Sequence, residues 1–408
     1  MAEPQKNIVI LGGSYAGVST AHYLLKHAVP KLPTKESFRV VIISASSHVV
    51  CRPACPRAML ADDMFPQDKL FVSIPKVFDQ YPAQKFRFIH GTATELDHAN
   101  RSVSFILNTG STETINYYSL VIATGAATRL KSDCDSLRAS WKSFREALPA
   151  AKSIVIAGGG PAGIETAGEL GEYLNGRAGW FSAKPPEPKV SITVICADSK
   201  ILPALRPAIA KKAEDYLADV GVTIIRNARI KAVSPESAGT TDVASKATLE
   251  LENGERLDGD LYVPATGTRP NTSFISKELL NPNGRVNTDE STLRVDIAGP
   301  RVYAVGDVAS YARPAIHLVL EAIPVVCANI KRDLLLASGQ DEGSLGEDRM
   351  FKEDKRETQL VPIGKSKGVG AAMGYKLPSW LVWLIKGRDY WLWTTGGLWS
   401  GQQWVKEA

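Results

Sequence analysis

Ile8-Val9-Ile10-Leu11-Gly12-Gly13-Ser14-Tyr15-Ala16-Gly17 returns 146 residues further on as Ile154-Val155-Ile156-Ala157-Gly158-Gly159-Gly160-Pro161-Ala162-Gly163. Each copy is an aliphatic run, then glycines, then an amphipathic stretch, which reads as strand, tight turn and helix. Glycines let the backbone turn sharply and approach a pyrophosphate seated on the positive N-terminus of the helix. The second copy carries the full G-x-G-x-x-G spacing at Gly158, Gly160 and Gly163; the first has Ser14 in the middle position. One such loop points to one dinucleotide. Two loops about one domain apart point to two dinucleotides meeting, and the economical reason for that pairing is electron transfer from a nicotinamide to a flavin.

The second half of the motif repeats as well. Leu120-Val121-Ile122-Ala123-Thr124-Gly125 has its counterpart in Leu261-Tyr262-Val263-Pro264-Ala265-Thr266-Gly267, an offset of 142 residues. Two nearly equal offsets argue for one duplicated domain. Around them, Arg39–Ile43 and Ser191–Ile195 read as the next strands of each copy, Asn253-Gly254 as a hairpin turn, and 301–308 as a strand ending in Gly306-Asp307. The expected fold class is α/β: two Rossmann-like domains, the second inserted in the first, plus a small C-terminal domain. The FAD-binding part would be 1–130 with 268–335, the NAD(P)H-binding part 131–267, and the C-terminal part 336–408, entered through the charged linker 340–357.

Several residues carry candidate chemistry. Asp307 ends a strand, where a carboxylate can accept hydrogen bonds from a sugar-alcohol chain. Glu165, on the first turn after the second loop, either completes the helix dipole or faces the nicotinamide and orients it. An acid usually ends the second strand of a dinucleotide fold. Here Ser44 stands there in the first copy and Cys196, followed by Asp198 and Lys200, in the second, which leaves NADH and NADPH both open. Cys51-Arg52-Pro53-Ala54-Cys55 lies where a redox dithiol could sit, but the spacing is three and Pro53 interrupts a helix, so small buried thiols are the plainer reading. His317 and Glu321, at i and i+4, either line a quinone or nicotinamide pocket or serve structure.

The bulk numbers exclude more than they assign. Net charge is +5 and no run of Lys and Arg exceeds two, so nucleic acid is not expected as a partner. Met1 to Lys6 leads straight into the first strand, so no signal or transit peptide is expected, and Ala2 departs from the N-myristoylation signal. No apolar stretch reaches the roughly 18 residues of a membrane span. Five scattered cysteines suit a reducing compartment. No metal site is expected. Six of the eight tryptophans lie at 380, 383, 391, 393, 399 and 404, interleaved with Lys365, Lys367, Lys376, Lys386 and Arg388. That composition suits a membrane or dimer interface, or rings that close over the flavin domain.

With these residues together, the chain resembles the pyridine nucleotide-disulfide oxidoreductase superfamily, and within it the apoptosis-inducing factor 2, or ferroptosis suppressor protein 1-like, branch. The branch-specific marks are the missing Cys-x4-Cys pair, the run 158–170, and the tail 364–370 leading to Lys386-Gly387-Arg388-Asp389. The resemblance implies FAD and NAD(P)H as cofactors, a quinone or other small electron acceptor, and a cytoplasmic protein, or one peripheral on membranes or lipid droplets. Carried over by position, Gly12, Gly13, Ser14, Ala16 and Gly17 would hold the FAD pyrophosphate and Asp307 the ribityl chain. Gly158, Gly160, Gly163 and Glu165 would hold the nicotinamide cofactor. Tyr15, Arg52, Ala123, Thr124, Gly125, Gly267 and Gly306 complete the cofactor-binding set, and Glu165 and Lys365 are the catalytic candidates. Three rivals remain at this point: a thiol or disulfide reductase using Cys51 and Cys55, a non-enzymatic effector or redox sensor, and an accessory oxidoreductase of a biosynthetic pathway.

Overall fold

The computed structural model describes residues 5–127, 133–179, 185 and 187–407; the boundary expected at 130/131 lies outside the described residues. Strand β1 (Lys6–Leu11) turns at Gly12 into α1 (Tyr15–Tyr23). Its Ile8, Val9, Ile10 and Leu11 are all fully buried, as in a parallel sheet covered on both faces. β2 (Phe38–Ser44) lies parallel to β1, Lys6 opposite Phe38. β3 (Phe86–Asp97), β4 (Ser102–Leu107) and β5 (Thr112–Asn116) form an antiparallel meander, and β6 (Ser119–Ile122) pairs with the other side of β1.

The chain then leaves this sheet. Helix α2 (Cys134–Ala147), N-capped by the Asp133 carboxylate, leads to β7 (Ser153–Ala157), α3 (Pro161–Asn175), β8 (Ser191–Ile195), α4 (Pro207–Ala218) and β9 (Val222–Ile225). A second meander, β10 (Ile230–Ser234), β11 (Ala247–Leu251) and β12 (Arg256–Gly259), carries the Asn253-Gly254 turn, and β13 (Leu261–Pro264) closes a parallel sheet in the order β9-β8-β7-β13. Only then comes β14 (Val302–Ala304), followed by α5 (Ile316–Leu336). β14 completes the first sheet, whose order is β14-β6-β1-β2-β3-β4-β5. The whole second sheet is therefore encoded between two neighbouring strands of the first. The chain crosses out and back through a short antiparallel pair, Ala126–Ala127 with Arg269–Pro270.

The repeat seen in sequence is also a repeat of contacts. Gly12 N–H donates to Ile43 O at 2.8 Å and Gly158 N–H to Ile195 O at 2.8 Å; Ala123 N–H reaches Leu11 O at 2.8 Å and Ala265 N–H reaches Ala157 O at 2.7 Å.

The C-terminal part packs across both units. In the hairpin β15 (Gln359–Ile363) and β16 (Lys367–Ala372), Val361, Ile363, Val369 and Ala371 enter the core of the second sheet. Leu398 and Trp399, at the end of α6 (Leu392–Trp399), and Trp404 beyond it enter the core of the first. The tryptophans divide: Trp399 and Trp404 are buried, whereas Trp380 and Trp393 are 64% and 60% exposed.

Candidate functional site

Both glycine loops open onto one continuous cavity of about 1740 Å³, well above the roughly 300–1,000 Å³ of a single small-molecule pocket. Its wall takes in Gly12, Gly13, Ser14, Tyr15 and Ala16 from one side and Gly158, Gly159 and Gly160 from the other. Arg52, Ala123, Thr124, Gly125, Glu165, Gly267, Gly306 and Asp307 also line it.

The glycines divide into two kinds. At Gly12 and Gly158, φ is +113° and +127°, and a Cβ would stand 2.2 Å from Ala123 O and 2.1 Å from Ala265 O. These two are demanded by the fold. Gly17 and Gly163 sit below the cavity, where a Cβ would meet Gly12 O and Gly158 O at 1.8 and 2.0 Å; they support the loops without facing a ligand. A Cβ at Gly160 meets nothing within 4 Å, so that position faces open space. Ser14, its counterpart, is exposed, N-caps α1, and makes no side-chain cap bond. Its hydroxyl therefore crowds no backbone and remains available to an anion.

At the end of β2, Ser44 Oγ donates to Ser46 O at 2.9 Å, and among the described residues no carboxylate lines the cavity beside it. In the second unit Asp198 lines the cavity, whereas Lys200 turns its ammonium onto Leu205 O and stays outside the wall. Asp307 is partly buried, which pushes its carboxyl upward, and Arg285 pulls it back down. The cavity residues fit two dinucleotides: two glycine cradles, two helix N-termini, a carboxylate at a strand end, and polar atoms awaiting partners. Among the latter, His317 Nε2 and Gln359 Oε1 are buried without a hydrogen-bond partner among the described residues, and both residues line the cavity. Glu321 is exposed and not part of the wall.

The expected catalytic lysine is corrected by the structure. Lys365 is exposed, lies outside the cavity wall, and offers only its backbone N–H, to Glu172 Oε2 at 2.8 Å. The tail lysine in the wall is Lys386. It is 7% exposed and donates to Glu165 Oε1 and to Leu360 O, the latter at 3.0 Å. Glu165 is 4% exposed; burial drives its carboxyl up and Lys386 draws it back. Trp391 completes this wall.

Sequence reasoning also missed what lies behind that pair. Glu165, Glu169 and Glu172 follow i, i+4, i+7 spacing on α3, a stripe that reads as a solvated face. Here it is covered by the tail. A Cβ on Gly168, between the carboxylates, would stand 2.9 Å from Ile363 Cα. Glu169 binds Arg57 through two hydrogen bonds of 2.8 and 2.9 Å and accepts the Tyr390 hydroxyl at 2.9 Å; Glu172 pairs with Arg177 at 2.8 Å.

All five cysteines are free thiols. Burial pushes Cys51 up to about 11 and Cys55 to about 12. Cys51 Sγ lies 3.7 Å from the Tyr15 hydroxyl and 3.6 Å from Tyr390 O. These are protonated, packed thiols, poorly suited to nucleophilic attack. Among the described residues, no helix is long and apolar enough to cross a membrane.

Comparison with known proteins agrees with this geometry. The pyridine nucleotide-disulphide oxidoreductase family matches residues 6–324. The chain is 61% identical over 411 residues to oxidoreductase phnG of Penicillium herquei, covering 99% of this chain and 98% of that protein. It is 25% identical to ferroptosis suppressor protein 1 of Mus musculus, over 94% of this chain and 93% of that one. Among solved structures, the sulfide:quinone oxidoreductase of the hyperthermophilic bacterium Aquifex aeolicus superposes with a TM-score of 0.67 at 17% identity, covering 97% of this chain and 92% of that one. The chain belongs to the pyridine nucleotide-disulphide oxidoreductase family, with FAD and NAD(P)H as its cofactors.

Proposed function

We propose that this protein takes a hydride from NADH or NADPH onto FAD and passes two electrons on to a quinone-type acceptor. The observation that carries the reading is the single cavity shared by both glycine loops, with the Glu165–Lys386 pair and Trp391 in its wall. FAD, when bound, accepts the hydride and releases its electrons in a second half-reaction. The chain's part is placement. Gly12 to Ala16 and Asp307 hold one dinucleotide, and Gly158, Gly160 and Asp198 hold the other. Glu165 orients the nicotinamide with Lys386 fixing its carboxylate, and the buried wall excludes water. No side chain need act as a nucleophile, and the protonated Cys51 and Cys55 favour an acceptor that is not a disulfide. The sulfide:quinone oxidoreductase likeness supports a quinone. Trp380, Leu384 and Trp393 stand exposed, and the Arg388 guanidinium lies 5.9 Å over the Trp393 ring, which supports peripheral membrane contact or a dimer face.

The test is an anaerobic absorbance titration of the purified protein. NADH or NADPH is expected to bleach an oxidised flavin band and a soluble quinone to restore it. A yellow protein bleached by neither nucleotide would overturn the reading.

A further inference from the structure

The Arg57 guanidinium is 6% exposed and has five N–H donors, and each has an acceptor. Nε and one Nη2 hydrogen go to Glu169 at 2.9 and 2.8 Å. The second Nη2 hydrogen goes to Gly364 O at 3.2 Å. The two on Nη1 go to Gly387 O at 2.9 Å and Arg388 O at 3.2 Å. The face of the group stacks on Tyr390, 4.8 Å from the ring centroid. Three stretches of chain thus meet on one side chain: the short helix Cys55–Ala58 between β2 and β3, helix α3, and the tail. Two of the three tail acceptors, Gly387 and Arg388, directly follow Lys386, and Glu169 lies one turn from Glu165. We propose that Arg57 is the positioning residue of the cavity, holding Lys386 and Glu165 in register across the junction between tail and α3.

The argument is one of geometry. A buried guanidinium with five fixed acceptors has a single orientation, so it fixes the main chain at Gly387 and the carboxylate of Glu169 relative to each other. Lysine keeps the charge but has three donors on a flexible stem and cannot span the same acceptors. The groups facing Glu165 are Lys386 from the tail, Glu169 from its own helix, Arg57 from the short helix Cys55–Ala58, and Tyr390 beside them. Releasing the tail removes Lys386 from this set, and the Glu165 carboxyl then keeps its proton to higher pH.

The inference rests on hydride transfer occurring at this cavity, and the experiment separates the two. Flavin reduction by NADH or NADPH, whichever bleaches the wild type faster, is followed by anaerobic rapid mixing from about pH 5.5 to 8.5 in wild type, Arg57→Lys, and Arg57→Met combined with Glu169→Gln. Both variants are expected to retain flavin, lose tenfold or more in limiting rate, and show an acid limb shifted upward by half a unit or more. In flavin-free protein, the infrared carboxyl band assigned by its loss in Glu165→Gln should titrate higher in the variants than in wild type. If Arg57 merely neutralises Glu169, the double variant regains the wild-type profile, and that result overturns the proposal. It also keeps the test open should Arg57→Lys fail to fold. A wild type that NADH or NADPH bleaches, with variants matching its rate and pH profile, overturns this inference alone. A wild type that neither nucleotide bleaches overturns the parent reading and this one with it.

Discussion

Replacing Lys386 with methionine keeps most of the buried stem but removes the only cation hydrogen-bonded to Glu165 among the described residues. A buried carboxylate stripped of its partner costs about 3–5 kcal/mol if it stays ionised. Glu165 can escape by taking a proton. From its ordinary value of 4.5 that costs about 1.4 kcal/mol per pH unit, so about 3.4 kcal/mol at pH 7 and about 1.4 at pH 5.5. The protonation route caps the penalty. The sign follows from linkage: with its value raised in the folded state, the folded chain binds more protons than the unfolded one above pH 4.5, and stability falls as pH rises. The wild-type carboxyl is itself raised, so the extra loss between pH 5.5 and 7 amounts to at most about 2 kcal/mol. Urea unfolding followed by tryptophan emission at both pH values measures it. A penalty equal at both would refute the claim that Glu165 is the orphaned charge. Adding Glu165→Gln to the variant should flatten the pH dependence while leaving flavin reduction impaired.

The two kinds of glycine predict opposite behaviour: Gly160→Val should fold and keep FAD yet lose NAD(P)H-dependent bleaching, whereas Gly158→Val, with its Cβ against Ala265 O, should fail to accumulate as folded protein. Asp307→Ala should purify with less flavin than wild type, read as the ratio of visible to ultraviolet absorbance. Converting Cys51 and Cys55 together to serine should leave NAD(P)H–quinone turnover within about twofold, since a thiol at about 11 is ionised roughly once in ten thousand molecules at pH 7. His22 is fully buried, stacked on Phe78, and held at about 4 by burial. Its folded value is depressed, so the stability it contributes is present above pH 6.5 and fades as pH falls toward 4, about 3 kcal/mol in all. His22→Gln should flatten that acid slope in urea midpoints.

What could be read from sequence, and what could not, divides along contact range. Gly12 and Gly158 were legible because their requirement is local: a left-handed φ and a carbonyl two ångströms from any Cβ leave no other residue possible. The α/β class followed from runs such as Ile8–Leu11, whose burial on both faces is stated by composition alone. Choosing between Lys365 and Lys386 was not a local matter. Both sit in the same tail, and only the packing of β15 on α3 shows which ammonium meets Glu165. Arg57 and Glu169 are 112 residues apart. Charged side chains are read as solvated by default, and nothing within a few residues of either reveals that they are buried together. The acidic stripe at 165, 169 and 172, set among Gly and Ala, was the available signal: small neighbours let another backbone approach and cover the carboxylates.

The placement of β14 has a consequence for synthesis. The first sheet cannot close until residues 302–304 have emerged, some 180 residues after β6. At a translation rate of about 5–20 residues per second, that is a wait of roughly 10–40 seconds. During it, β6 presents a bare edge, while the second unit has all the strands it needs to finish its own sheet. The later unit's sheet can thus close before the earlier one's, while its core still awaits Val361, Ile363, Val369 and Ala371 of the tail. The cavity is furnished later still, when Lys386 and Trp391 arrive with the tail. A ribosome stalled between β14 and β15 would display two complete nucleotide cradles and no working junction between them.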